Sequence, residues 1–213
     1  MKLDLVLSNK ESKTGFRDSN KFIYGVRMKV FPWITGIKTG DLLYSKQRTG
    51  NSFLIEGNKV GNNRARGILV KASNGAIKNN IVDGCELAGI VIAPEFYWME
   101  GGLSTDIIIS DNVIRNCLYG VSNYGTHQPG ALSVIALNAN GEISEKGVFR
   151  NIAITGNKIE NCPSPAVVLT SIEDLLYKDN TIKSDSNIIR NHGKKYGILY
   201  SDDVWTHDIN VIK

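Results

Sequence analysis

Short runs of alternating apolar and polar residues recur along this chain, and each recurrence is marked by an asparagine. Five segments share one order: an apolar residue, two others, Asn, one other, then Ile or Val. They occupy residues 55–60, 77–82, 109–114, 154–159 and 177–182, and Asn58, Asn80, Asn112, Asn157 and Asn180 lie 22, 32, 45 and 23 positions apart. About nine residues after each Asn, a small residue opens a second apolar run: Gly67, Gly89, Gly120, Ala166 and, later than the rest, Gly197. The alternation is that of β-strands, and no stretch keeps a helical period for three turns.

Self-similarity at this period predicts a solenoid whose repeats bury their apolar faces on one another. The short spacings fit one coil of a β-helix, and the longer ones fit the same coil with a loop inserted. The expected fold class is therefore all-β: a right-handed parallel β-helix of the pectin-lyase-like kind, with about five coils over residues 51–213. Each Asn is expected at the tight turn between two strands, where it tolerates the left-handed backbone region and bonds along a ladder of stacked amides. Residues 1–50 lack the repeat. Their alternating runs, such as 22–31 before Pro32 and Trp33, predict a small antiparallel β subdomain or a cap over the exposed edge of the first coil.

Charge and composition narrow the partners. A net charge of +4 over 213 residues forms no long basic run, so no nucleic-acid partner is expected. No apolar stretch reaches the roughly 18 residues of a membrane span, and residues 1–5 lack the apolar core of a signal peptide. Cys85, Cys117 and Cys162 each follow a ladder Asn by five positions. They are expected to stack on one wall as reduced, buried hydrophobes. His127, His192 and His207 stand at no recognised metal-ligand spacing, so neither metal nor cofactor is expected. Asp106 and Asp111 are hard oxygen ligands suited to calcium, and read equally well as solvated surface acids.

The loops carry the candidate chemistry, because insertions in solenoids gather on one face. One loop leaves the second coil after Ile92 and contains Glu95, Phe96, Tyr97, Trp98, Met99 and Glu100, followed by Gly101 and Gly102. Another leaves the third coil over residues 123–130 and contains His127; a hairpin over 131–149, turning near Asn140, is expected beyond it. The two loops are expected to follow equivalent strands and so to be neighbours. Sugar sites combine a flat aromatic face with carboxylates, and Trp98, Tyr97, Glu95 and Glu100 supply both. The rival reading packs these aromatics over the coil. Arg64 and Arg66 flank the first coil's last strand, where a planar guanidinium suits a sugar hydroxyl or a carboxylate, or pairs with a local acid. Glu100, set among apolar neighbours, is the candidate proton donor and Glu95 its partner or a substrate-orienting group. The alternative is that both acids bond loop backbone or Arg66.

Arg66, Gly67, Ile68, Leu69, Val70, Lys71 and Ala72, then Gly75, Asn80, Ala88, Gly89, Ile90, Pro94, Glu95 and Trp98 through Gly102, carry a resemblance. This pattern resembles the parallel β-helix of glycoside hydrolase family 110, the α-1,3-galactosidases of gut bacteria. The similarity runs over about residues 40–205 and is strongest over 52–115. It implies an inverting, cofactor-free enzyme that cleaves terminal α-linked galactose from a glycan and is secreted or periplasmic. Members of that family are longer and carry an Asp-Asp pair upstream of the matched region. Here the pair occurs at Asp202 and Asp203 instead. The chain is thus expected to be the C-terminal part of such an enzyme, or a shortened homologue, inactive alone. A non-catalytic carbohydrate-binding or structural β-helix module and a polysaccharide lyase remain as alternatives. The loop acids argue against a lyase, which wants a basic residue and an acidic substrate.

Overall fold

Each corner asparagine has a fixed set of partners, and those partners define the architecture. In the computed structural model, which describes residues 6–7, 26–27, 49–95, 101–120, 130–138, 141–189 and 203–212, the five ladder asparagines stack one per coil. The side chain of Asn112 shows the scheme. Its Nδ2 donates to Ile77 O and to Asn157 Oδ1, both at 2.9 Å, one coil behind and one ahead. Its Oδ1 accepts from Asn80 N at 3.0 Å and from Asn80 Nδ2 at 2.9 Å. Asn80 and Asn157 repeat the pattern, and all three are fully buried. Every donor and acceptor of these amides is engaged, which is what makes burial of so polar a group tolerable.

The left-handed residue of each corner is the one before the asparagine. Gly57, Asn79, Asp111, Gly156 and Asp179 have φ between 53° and 69°. The expectation that the ladder Asn itself takes the left-handed region is therefore corrected. Its amide has to point inward along the ladder, and the preceding Gly, Asn or Asp makes the bend at low steric cost. Two further corners show the same device. Ser52, Asn74, Asp106, Asn151 and Asp174 stack in one column, and Asn62, Gly84, Asn116 and Asn161 in another, all at positive φ.

Between corners run three walls of parallel strands. The first holds β3 (Phe53–Glu56), β6 (Gly75–Lys78), β9 (Thr105–Ser110), β12 (Phe149–Thr155) and the second half of β14 (Val167–Lys178). The second holds β4 (Lys59–Asn63), β7 (Ile81–Cys85), β10 (Val113–Arg115), β13 (Lys158–Ser164) and β15 (Thr181–Ile189). The third holds β5 (Ile68–Val70), β8 (Ile90–Ile92), β11 (Leu132–Val134), the first half of β14, and β16 (Val204–Val211). β14 ends the fourth coil and begins the fifth without a break, so the first and third walls form one sheet. The fold is a parallel β-helix of five coils.

Register explains the sequence pattern. Ile55, Ile77, Ile109, Ile154 and Tyr177 form one inward column. Val60, Val82, Ile114, Ile159 and Ile182 form a second. Ile68, Ile90, Leu132, Val167 and Val204 form a third. Most of these side chains are wholly buried, each contributing roughly 1.5–3 kcal/mol of burial. Cys85, Cys117 and Cys162 are free, fully buried and stacked beside the second column, with Asn63 closing the row through a 3.6 Å contact to Cys85 Sγ.

Two strand assignments differ from the expectation. The third coil's apolar run is Leu132–Val134, which pairs with Ile90–Ile92, rather than the run beginning at Gly120. The inserted segment enters before this strand, so counting nine residues from Asn112 stops one loop too early. In the fifth coil the equivalent strand is Val204–Val211, and the run at 197–200 lies outside the described residues. The expected hairpin is small, one antiparallel bridge between Leu137 and Ile143. A separate unit, residues 1–43, contains β1 (Val6–Leu7) paired antiparallel with β2 (Val26–Arg27). No helix among the described residues is long and apolar enough to cross a membrane.

Asn112→Leu should lower stability by at least about 3 kcal/mol in urea melts, because it orphans buried groups on both neighbouring coils. Asn58→Leu, at the exposed end of the ladder, should cost about 1 kcal/mol. The hydrogen bond to Cys162 and burial push the Cys117 thiol from its ordinary value of 9.0 up to about 12. A raised folded-state pKa gives stability that is complete below the unfolded value and is lost as pH rises towards the folded one. Stability should thus fall between pH 9 and 12, and a Cys117→Ala variant should show a shallower fall across the same window.

Candidate functional site

The third wall is covered on its outside as well as its inside. Its outward column is Leu69, Val91, Ser133, Val168 and Trp205. Val91 is buried with Ala88, Ala93 and Ile135, against which Leu69 and Leu137 pack. Val168 and Trp205 are buried under Ile143. Ser133 Oγ donates to Gly130 O at 2.9 Å and accepts from Gly130 N at 3.0 Å, tying the start of β11 to the preceding turn.

Just beyond the C-terminal end of β8 in this wall sits Glu95. Arg66 Nη2 contacts Glu95 Oε1, and Lys71 Nζ lies 2.6 Å from Glu95 Oε2. The carboxylate is therefore gripped on both oxygens by side chains from the preceding coil. Glu95 is only 10% exposed, Lys71 17% and Arg66 29%, so the three charges meet in a poorly hydrated place where pairing is required. Among the described residues, two cations thus converge on one carboxylate.

The backbone at Glu95 is as unusual as its side chain. Its φ is 47°. Among the described non-glycine residues, positive φ otherwise falls in the three corner columns and in Ser171 and Asp208, which face each other between β14 and β16, with Leu118 as the other exception. A Glu in the left-handed region is disfavoured by roughly 1–3 kcal/mol and persists where its surroundings over-determine it. Here the two ion pairs do so. The chain returns at Gly101, where a Cβ would come within 2.6 Å of Lys71 Cβ. Ser73 Oγ then accepts from Thr105 N at 3.0 Å and donates to Leu103 O at 3.3 Å. Both roots of the 96–100 segment are thus fixed against the first coil.

The sequence candidates divide accordingly. Glu95 and Arg66 are brought together. Arg64 is exposed on the turn after β4 and takes no part in the cluster. Tyr97, Trp98, Glu100 and His127 lie outside the described residues. The two loops do not follow equivalent strands: one leaves after β8 and the other enters before β11, so they join opposite ends of the wall. Lys71 was missed by sequence reasoning. It follows β5 directly and meets Glu95 only once the first and second coils are stacked. Among the described residues no three His, Cys, Asp or Glu side chains gather to hold a metal. Asp106 Oδ1 instead accepts from Asn151 Nδ2 at 2.7 Å along its corner column.

Comparison with known proteins agrees with this architecture. Residues 38–134 match the family described as "Right handed beta helix region", and the solenoid is a right-handed parallel β-helix. The chain is similar to alpha-1,3-galactosidase B of Phocaeicola vulgatus, 29% identical over 133 residues, which is 61% of this chain and 22% of that protein. It is similar also to alpha-1,3-galactosidase B of Bacteroides fragilis, 24% identical over 148 residues, 67% of this chain and 24% of that protein. The chain thus spans under a quarter of the length of these relatives. The resemblance read from the Arg66–Gly102 motif holds at the level of these alignments.

The clamp is open to a direct test. Glu95→Ala should destabilise the protein by about 2 kcal/mol, since it removes the carboxylate that both Arg66 and Lys71 contact in a poorly hydrated place. A double-mutant cycle between Glu95→Ala and Lys71→Ala should give a coupling of about 1–2 kcal/mol. Additive losses would show that the pair is decorative.

Proposed function

We propose that this β-helix binds the terminal α-linked galactose of a glycan at the Arg66–Lys71–Glu95 cluster and the loop rooted there. The observation that carries the reading is the gripped, left-handed Glu95, which fixes one end of a segment whose sequence supplies Tyr97 and Trp98. Arg66 and Lys71 offer donors and Glu95 offers acceptor lone pairs, the mixture that adjacent sugar hydroxyls require. Tyr97 or Trp98 then stacks on the apolar face of the ring. The similarity to alpha-1,3-galactosidases supports galactose as the sugar. On this reading the protein meets its ligand outside the cytoplasm, as a secreted or periplasmic protein.

Catalysis is a second element of the proposal. An inverting glycosidase needs two carboxyl groups about 6.5–9.5 Å apart, one to protonate the leaving oxygen and one to activate water. Glu100 is our candidate for the acid. Glu95, with both oxygens engaged by cations, is better suited to orienting substrate than to taking a proton from water. That arrangement favours binding without turnover by this 213-residue chain.

Calorimetry with α-1,3-galactobiose tests the reading. Wild type should bind, and Trp98→Ala and Arg66→Ala should each weaken binding by about 1–3 kcal/mol. Unchanged affinity in both variants would remove the cluster from the site. Galactose release from the same sugar should be undetectable. Hydrolysis by the wild-type chain that disappears in Glu100→Gln would instead establish a complete enzyme.

A further inference from the structure

A second concave surface lies on the wall built by β10, β13 and β15. A groove of about 490 Å³ is lined there by Glu160, Asn161, Lys183, Ser184 and Asp185, within the range of roughly 300–1,000 Å³ seen for small-molecule sites. β13 and β15 are paired in register at Glu160 and Lys183, so the lining comes from two successive coils. A residue of a third coil closes one side. The Tyr119 hydroxyl donates to Asn161 Oδ1 at 3.2 Å and lies 3.3 Å from Asp185 Oδ2. Tyr119 follows Leu118, a left-handed residue with φ 70° and 2% exposure. Asn161 Nδ2 in turn donates to Asn116 Oδ1, which holds the amide in place.

The polar groups here are unlike those around Glu95. No side-chain hydrogen bond or ion pair with the described residues engages the Glu160 carboxylate or the Lys183 ammonium. The groove therefore presents a free acceptor and a free donor beside a fixed carboxylate, amide and phenol. An anion would face Glu160 and Asp185 together. An apolar ligand would strip water from all of these groups without replacing it. A metal lacks its ligand set among the described residues. Sugar hydroxyls donate to carboxylates and accept from an ammonium at once, so neighbouring hydroxyls on one ring satisfy both kinds of group.

We propose that this groove is a second carbohydrate site, which takes a neutral pyranose through adjacent hydroxyls held by Glu160, Lys183 and Asp185. The inference rests on the reading of the chain as glycan-binding, and it places a second contact on a different wall from the Arg66–Lys71–Glu95 cluster. Tyr119 is a positioning residue that holds Asn161 and Asp185 in the floor.

Amide chemical-shift mapping of the ¹⁵N-labelled chain, titrated with α-1,3-galactobiose, tests it. The amides of Asn161, Ser184 and Asp185 should shift and saturate. Lys183→Ala and Glu160→Gln, each with a dispersed native spectrum, should weaken that response at least fivefold while shifts near Arg66 and Glu95 persist. Groove amides that stay still overturn the proposal, whether or not the amides near Glu95 move. Stillness at both places removes the proposed function as well. A response at the groove alone upholds this site and removes the Glu95 cluster as the galactose site. Groove shifts that survive both substitutions unchanged would also overturn the assignment, because the ligand would then be held by other groups.

Discussion

The stacked asparagine amides are the constraint on which this structure depends. Parallel strands by themselves leave register open, since one ladder of backbone hydrogen bonds can be exchanged for another a step along. The amide column removes that freedom. Asn80, Asn112 and Asn157 are fully buried, and each one satisfies its amide by bonding the coils on both sides of it. A slip of one residue would bury these amides without partners and turn the isoleucine columns towards water. The apolar columns supply most of the driving force, and the asparagines determine which alignment receives it.

The loops inherit this rigidity. Because coil follows coil in fixed register, side chains far apart in sequence become neighbours at one place on the surface. Arg66 and Lys71 on the first coil meet Glu95 at the end of the second. Tyr119, Asn161 and Asp185 meet on the second wall across three coils. The left-handed backbone at Glu95 and Leu118 is sustained in the same way, by a frame that does not yield locally. The wall between these places is sealed outside by Ile135, Leu137 and Ile143, which leaves polar chemistry at its margins.

Much of the coil was legible in the sequence, because strand periodicity and the Asn repeat are both local signals. The inward columns, the ladder and the cysteine row follow from counting positions. The left-handed residue did not, since Asn is itself a common left-handed residue and only the inward demand on its amide shifts the bend to its neighbour. Gly120 misled because it resembles Gly67 and Gly89 in spacing while the insertion comes before the strand rather than after it. Of the site, Arg66 and Glu95 were visible through the resemblance and the loop composition. Lys71 and the groove residues were hidden for one reason: each acquires its neighbours only when coils are superposed. Tyr119 stands 42 positions from Asn161 and 66 from Asp185, beyond any pattern that sequence alone displays.

Native-state hydrogen exchange tests the ladder's role most directly. The backbone amides of Asn80, Asn112 and Asn157 donate to side-chain oxygens of the next coil at 3.0–3.1 Å. If the ladder holds the coils in register, these three amides exchange only through global unfolding, with a common free energy and a denaturant slope equal to that of the whole molecule. Exchange of any of them at a lower free energy, with little denaturant dependence and while the flanking strand amides remain protected, would contradict the account.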